Sequence, residues 1–120
     1  MSFDQRTAES LIPLREPTFF ILVALAGSKK HGYAILQDVK ALSEGRLRLS
    51  TGTLYGALAR LLEQGIISQS LEESEGMELD PHARKVYMLT RFGRRVLEAE
   101  MGRLQGLLAA ARQELGEQET

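Results

Sequence analysis

Residues 50–71 read Ser-Thr-Gly-Thr-Leu-Tyr-Gly-Ala-Leu-Ala-Arg-Leu-Leu-Glu-Gln-Gly-Ile-Ile-Ser-Gln-Ser-Leu, and this stretch decides the fold. Ser50 is a natural N-cap, because its side-chain oxygen can accept from a backbone N–H of the first helical turn. Leu54, Leu58, Leu61 and Leu62 then recur at helical spacing, which predicts a helix over 51–64 with one apolar face. Gly52, Thr53, Gly56 and Arg60 fall on the other face. Gly65 suits the left-handed position just past a helix C-terminus. From Ile66 to Leu71 the chain reads as a strand.

Upstream, Ile35, Leu36, Val39 and Leu42 form the apolar face of a helix predicted over 32–43, with Tyr33, Gln37 and Lys40 opposite. Residues 17–26 are apolar nearly all round, which predicts a helix buried on most sides. Pro17 fits its first turn, where a missing N–H costs nothing, and Gly27 and Ser28 end it. Ser2 and Gln5 have capping-box spacing for a short helix that stops before Pro13. Its apolar residues, Phe3, Leu11 and Leu14, are few, so it must dock on something to persist.

Downstream, Lys85 to Thr90 reads as a second strand, and residues 72–83, with Gly76 and Asp80-Pro81, as the loop of a hairpin. Thr90 caps a last helix in which Leu97, Met101, Leu104, Leu108, Ala111 and Leu115 step by four and three in alternation, a heptad seam. A second stripe, Ala99, Gly102, Gly106 and Ala109, is all small. The expected fold is mainly α with a small two-stranded hairpin. It is a winged helix-turn-helix with N-terminal and C-terminal dimerisation helices. The expected segments are an N-terminal helix and linker (1–16), the winged-helix domain (17–90) and a dimerisation helix (91–120).

Composition narrows the function. The 120 residues make one domain, 43% apolar and 26% charged, as in ordinary globular chains. There is no cysteine, so no thiol nucleophile and no thiolate metal site, compatible with a reducing cytoplasm, the expected location. The longest apolar run, Phe19 to Gly27, is about half of what a bilayer needs. The two histidines, His31 and His82, are far apart, and the adjacent Glu72 and Glu73 would point apart. No catalytic set, metal cluster or phosphate-cradling loop is present, so no enzyme and no cofactor is expected. Net charge is −1, but it is unevenly placed: residues 28–60 carry six basic and two acidic side chains, residues 61–83 only acids, six of them, and residues 84–95 five basic and none acidic. Two basic blocks flanking an acidic one would, if they converge, give a footprint for a phosphate backbone.

His31-Gly32-Tyr33-Ala34-Ile35-Leu36, Ser50-Thr51-Gly52-Thr53-Leu54-Tyr55, Leu58-Ala59-Arg60-Leu61 and Gly65-Ile66-Ile67 resemble the PadR family of bacterial transcriptional regulators. Arg84 to Thr90 followed by Gly93-Arg94 fits that family's second wing strand and the start of its C-terminal helix. The match covers residues 17 to about 97, and the single C-terminal helix is similar to the family's short type. The chain departs from the pattern in two ways. Gly56 stands where a proline often follows the tyrosine, and the loop carries Glu72, Glu73, Glu75, Glu78 and Asp80, which DNA would repel.

The resemblance implies a dimeric winged-helix DNA-binding protein, usually a repressor that senses a small molecule. The expected DNA-facing set is Tyr33, Lys40, Ser50, Thr51, Gly52, Thr53, Tyr55, Arg60, Arg84 and Lys85. Thr51 and Thr53 are the base-reading candidates, since a hydroxyl serves several base edges and a methyl can touch thymine. Arg60 and Lys85 are expected on phosphate, and Tyr33 and Lys40 as backbone-positioning groups. Tyr55 has two readings, a hydroxyl on phosphate or a packing aromatic. Leu97, Met101, Leu104, Leu108, Ala111 and Leu115 are expected in a two-fold interface, together with the partner's N-terminal helix. The expected partners are a palindromic operator, a second copy of the chain and a small-molecule effector, with no membrane. The alternative is a winged-helix protein–protein adaptor that does not bind DNA.

Overall fold

The computed structural model describes residues 8–72 and 85–117. The Ser2–Gln5 capping box, Arg84, His82 and the acidic loop beyond Glu72 lie outside the described residues. Residues 8–10 are helical, with Ala8 buried and Leu11, Ile12 and Leu14 packed on the core. Helix α1, Glu16–Ala26, begins with Pro17 in its first turn and buries Ile21, Leu22, Ala24 and Leu25. It packs against the next helix, a central strand and the last helix, which is why its sequence has no polar face.

Strand β1, Lys30–His31, is followed directly by α2, Gly32–Leu42, which buries Ile35 and Val39. Ser43, itself buried, ties the turn that follows. Its hydroxyl donates to the Lys40 carbonyl at 3.2 Å and accepts from the Leu47 N–H at 3.0 Å. Helix α3, Thr51–Glu63, is capped by Ser50 and buries Leu54, Ala57, Leu58 and Leu61. Gly65 beyond it has φ +73°, the left-handed conformation in which a side chain would be strained.

Strands β2, Ile67–Leu71, and β3, Lys85–Leu89, pair antiparallel with Ile67 opposite Leu89 and Leu71 opposite Lys85. Helix α4, Arg91–Glu114, is capped by Thr90. Thr90 Oγ1 accepts from the Gly93 N–H at 2.9 Å and lies 2.6 Å from the Gly65 carbonyl oxygen and 2.9 Å from that of Ile66. A Cβ at Gly93 would collide with the Ile66 carbonyl, so only glycine lets α4 start this close to the end of α3.

Two expectations need correction, and one is extended. The expected hairpin of β2 and β3 is present, and the two-residue β1 joins it as a third strand, in the order β1-β3-β2. Lys30 pairs with Tyr87 and His31 with Val86. A two-residue strand has no alternation to detect, and only its neighbour makes it one. Leu42 is exposed rather than in the core. The heptad seam is divided: Leu97 is buried in its own chain together with Val96, while Met101, Leu104, Leu108, Ala111 and Leu115 are exposed. Leu97 therefore cannot belong to a surface seam. It lies where α4 still runs over the core.

Candidate nucleic-acid interface

The first turn of α3 is built from Ser50. Its hydroxyl accepts from the Thr53 N–H at 3.0 Å and donates to Thr53 Oγ1 at 2.9 Å. This satisfies one of the free donors that a helix start leaves and holds Thr53 in one orientation. Thr51, Gly52 and Thr53 are all exposed. A Cβ at Gly52 would meet nothing within 4 Å, so packing inside the chain does not require glycine there. The result is an open, positively polarised helix N-terminus with two hydroxyls on it, a surface suited to a negatively charged backbone.

Helix α2 braces this turn. A Cβ at Gly32 would collide with the Tyr55 hydroxyl, so the start of α2 lies directly against the second turn of α3. Tyr55 is half-buried and packed on the core, which agrees with the packing reading of this residue. Tyr87 lies buried on β3, and burial, with Tyr55 nearby, pushes its phenol up to about 12. From this braced start, α2 presents Tyr33, 72% exposed, and, further along, Gln37 and Lys40 to solvent. His31 occupies the N-cap position of α2, and its Nε2 is buried without a hydrogen-bond partner among the described residues.

The basic blocks do not act as units. Lys29 pairs with Glu72, whose carboxyl it holds below the usual range. Lys30 donates to the Ala24 carbonyl at 2.7 Å, at the C-terminal end of α1, and pairs with Asp38 at 3.3 Å. Arg46 grips both carboxylate oxygens of Glu16, at 3.1 and 3.4 Å. Lys40, Arg48 and Arg60 remain exposed and form no ion pair among the described residues. Arg60 lies one turn after Gly56, and a Cβ at Gly56 would be 3.8 Å from its guanidinium. Lys85 is half-buried at the outer end of the wing ladder, away from the joint with α4. Thr51, Gly52 and Thr53 are consecutive on one exposed turn of α3, whereas Lys85 lies on β3 of the wing.

One ionised group escaped the sequence reading. Glu100 on α4 is 2% exposed, and its carboxylate takes two hydrogen bonds from the Arg103 guanidinium, at 2.6 and 2.8 Å, and one from the Leu14 N–H at 2.9 Å. These bonds hold its pKa below the usual value against the opposing effect of burial. Glu100 and Arg103 stand three residues apart, a spacing that signals a helical pair. Nothing in the sequence signals the third partner, 86 positions away.

A helix with an open N-terminus, braced by the preceding helix and followed by a wing, defines the winged helix-turn-helix class. The comparisons agree. The model of the transcriptional regulator PadR-like family matches residues 21–99, and the chain belongs to this family. A PadR family transcription regulator from Clostridium difficile R20291 superposes with a TM-score of 0.67 at 23% identity, over 84% of this chain and 99% of that one. A PadR-like transcription factor from Bacteroides fragilis superposes with a TM-score of 0.65 at 28% identity, over 80% and 86%. An uncharacterised 37.1 kDa protein in transposon TN4556 of Streptomyces fradiae is 39% identical over 89 residues. That match takes in 72% of this chain and 23% of the relative, so the chain spans about a quarter of its length. No described helix is long and apolar enough to cross a membrane, and no described cluster of His, Asp and Glu could hold a metal.

Proposed function

We propose that the chain is a sequence-specific DNA-binding transcriptional repressor of the cytoplasm, acting as a homodimer on a palindromic operator and released by a small-molecule effector. The observation that carries this reading is the open first turn of α3, with Thr51, Gly52 and Thr53 exposed and no packing need for the glycine. Thr51 and Thr53 read bases, Tyr33, Lys40 and Arg60 hold the phosphate backbone, and Lys85, with Arg84, adds charge from the wing. Ser50 shapes the turn and Tyr55 sets its angle. In the dimer, the exposed Met101, Leu104, Leu108, Ala111 and Leu115 of α4 cover their equivalents on a second copy. Burying each leucine contributes roughly 1.5–3 kcal/mol. Symmetry then presents two α3 helices to successive major grooves, with half-sites spaced by about 34–36 Å or a multiple.

A second reading, a protein–protein adaptor, draws on the consumption of Lys29, Lys30 and Arg46 by Glu72, Asp38 and Glu16. A gel shift against the DNA upstream of the chain's own gene, at low and moderate salt, separates the two. The repressor retards that DNA and loses affinity steeply as salt rises. The adaptor gives no retardation even at low salt.

A further inference from the structure

Between the N-terminal segment and the inner flank of α3 lies a cavity of about 440 Å³, within the usual size range of small-ligand sites. Among the described residues, its lining includes two arginines, Arg15 and Arg60, and no acid. Neither arginine forms an ion pair among the described residues, while Arg46 grips Glu16. Thr18 and Gln64 add a hydroxyl and an amide, and Leu14 and Leu61 supply apolar wall. Arg15 is also the N-cap residue of α1, where no side chain caps the free N–H groups, so a helix N-terminus adds positive potential at this end. Glu16, the one acid of that turn, is held by Arg46.

We infer that this cavity binds a small amphipathic carboxylate, its anionic head between Arg15 and Arg60 and its apolar tail against Leu14 and Leu61. Two cations in a wall with no acid among the described residues favour an anion, and the leucines favour one with a hydrocarbon body over a bare ion. Arg60 would then serve two anions. A carboxylate that engages it takes it from DNA phosphate, so the ligand and DNA compete for one side chain. This coupling rests on the proposed DNA binding, whereas the cavity's affinity for a carboxylate does not.

Titration of the full chain with hexanoate, 1-hexanol and inorganic phosphate, followed by amide NMR shifts, tests the site. Hexanoate should shift the amides of Leu14, Thr18, Ala57, Leu61 and Ile66, and both controls should bind at least about tenfold more weakly, a difference of about 1.4 kcal/mol. The exposed-site variant Arg15→Gln with Arg60→Gln should keep the dispersed spectrum and lose about tenfold in hexanoate affinity. Equal binding of hexanol or phosphate, shifts confined to Leu104–Leu108, or full affinity in the double variant would overturn the assignment. In a second arm, hexanoate at saturation should release a fluorescent duplex from the unmutated chain. A duplex that binds but is not released overturns the coupling. A duplex that never binds overturns the DNA reading and with it the coupling, and the NMR result alone then decides the cavity.

Discussion

Gly52→Ala should move stability and DNA affinity in opposite directions. Gly52 is the second residue of α3, and a Cβ there meets open space. Alanine fits a helical position and restricts the unfolded chain, which stabilises by about 0.4–1 kcal/mol. Unfolding entropy is about 2.1 cal/mol/K per residue, or roughly 0.25 kcal/mol/K for a chain of 120. The expected rise in Tm is therefore about 1.6–4 °C. In the proposed DNA complex, the added methyl stands where the backbone of the helix start would come within about 2.9 Å of a phosphate or base oxygen. Losing one charge-assisted hydrogen bond costs about 1.5–3 kcal/mol, which is a tenfold to hundredfold loss of affinity. Thermal unfolding by circular dichroism and fluorescence anisotropy with a labelled duplex read the two effects separately. A variant with raised Tm and unchanged DNA affinity would show that Gly52 does not face DNA. A lowered Tm would show that the open space around it is wrong.

Arg60→Ala should weaken operator and non-specific DNA alike and reduce the slope of log affinity against log salt by about one. An unchanged slope would remove Arg60 from the phosphate contacts. Thr51→Val or Thr53→Val should change preference at one operator position by roughly 1–3 kcal/mol, and a uniform loss over all operator variants would make them positioning groups. Leu104→Asp with Leu108→Asp should yield monomer by sedimentation and abolish tight operator binding. A monomeric unmutated chain at micromolar concentration would refute the interface. Glu100 has a folded-state pKa below its ordinary 4.5, so it stabilises the fold above that pH and stops doing so as pH falls through the folded value. Glu100→Gln should therefore lower Tm at neutral pH and flatten the loss of Tm on the acid side. Parallel acid-side curves for the two proteins would contradict this.

Local chemistry was legible in the chain. Ser50, Thr90 and Gly65 announce helix ends because caps and left-handed turns depend on one side chain or its absence. Leu54, Leu58 and Leu61 announce a buried face because the helical repeat is short-range. The PadR motifs lie in these same stretches, which is why the fold could be read from them. What depends on distant partners was not legible. Strand β1 exists through Tyr87 and Val86, and the role of Glu100 depends on Leu14. The inward turn of Leu97 reflects where α4 leaves the core, which a repeat of sevens does not mark. For the site, residue type and face located the exposed turn of Thr51 to Thr53. The spending of Lys29, Lys30 and Arg46 within the chain depended on Glu72, Asp38 and Glu16 arriving from elsewhere in the fold.

The junction at Thr90 has a mechanical consequence. Its hydroxyl touches the carbonyl of Gly65, where α3 has just ended, and caps α4 in the same stroke. Gly93 removes the side chain that would hold the two apart. No slack linker separates α3, the helix proposed to enter DNA, from α4, the helix proposed to pair with a second copy. Helix α4 has 24 residues, a rod of roughly 36 Å at 1.5 Å per residue. A tilt of about 5° at the pivot displaces its far end by about 3 Å over that length. Read backwards, a partner that fixes the far end fixes the bearing of α3 with the same leverage. In the proposed dimer, a ligand that shifted the pivot by even a few degrees would retune the separation of the two α3 helices.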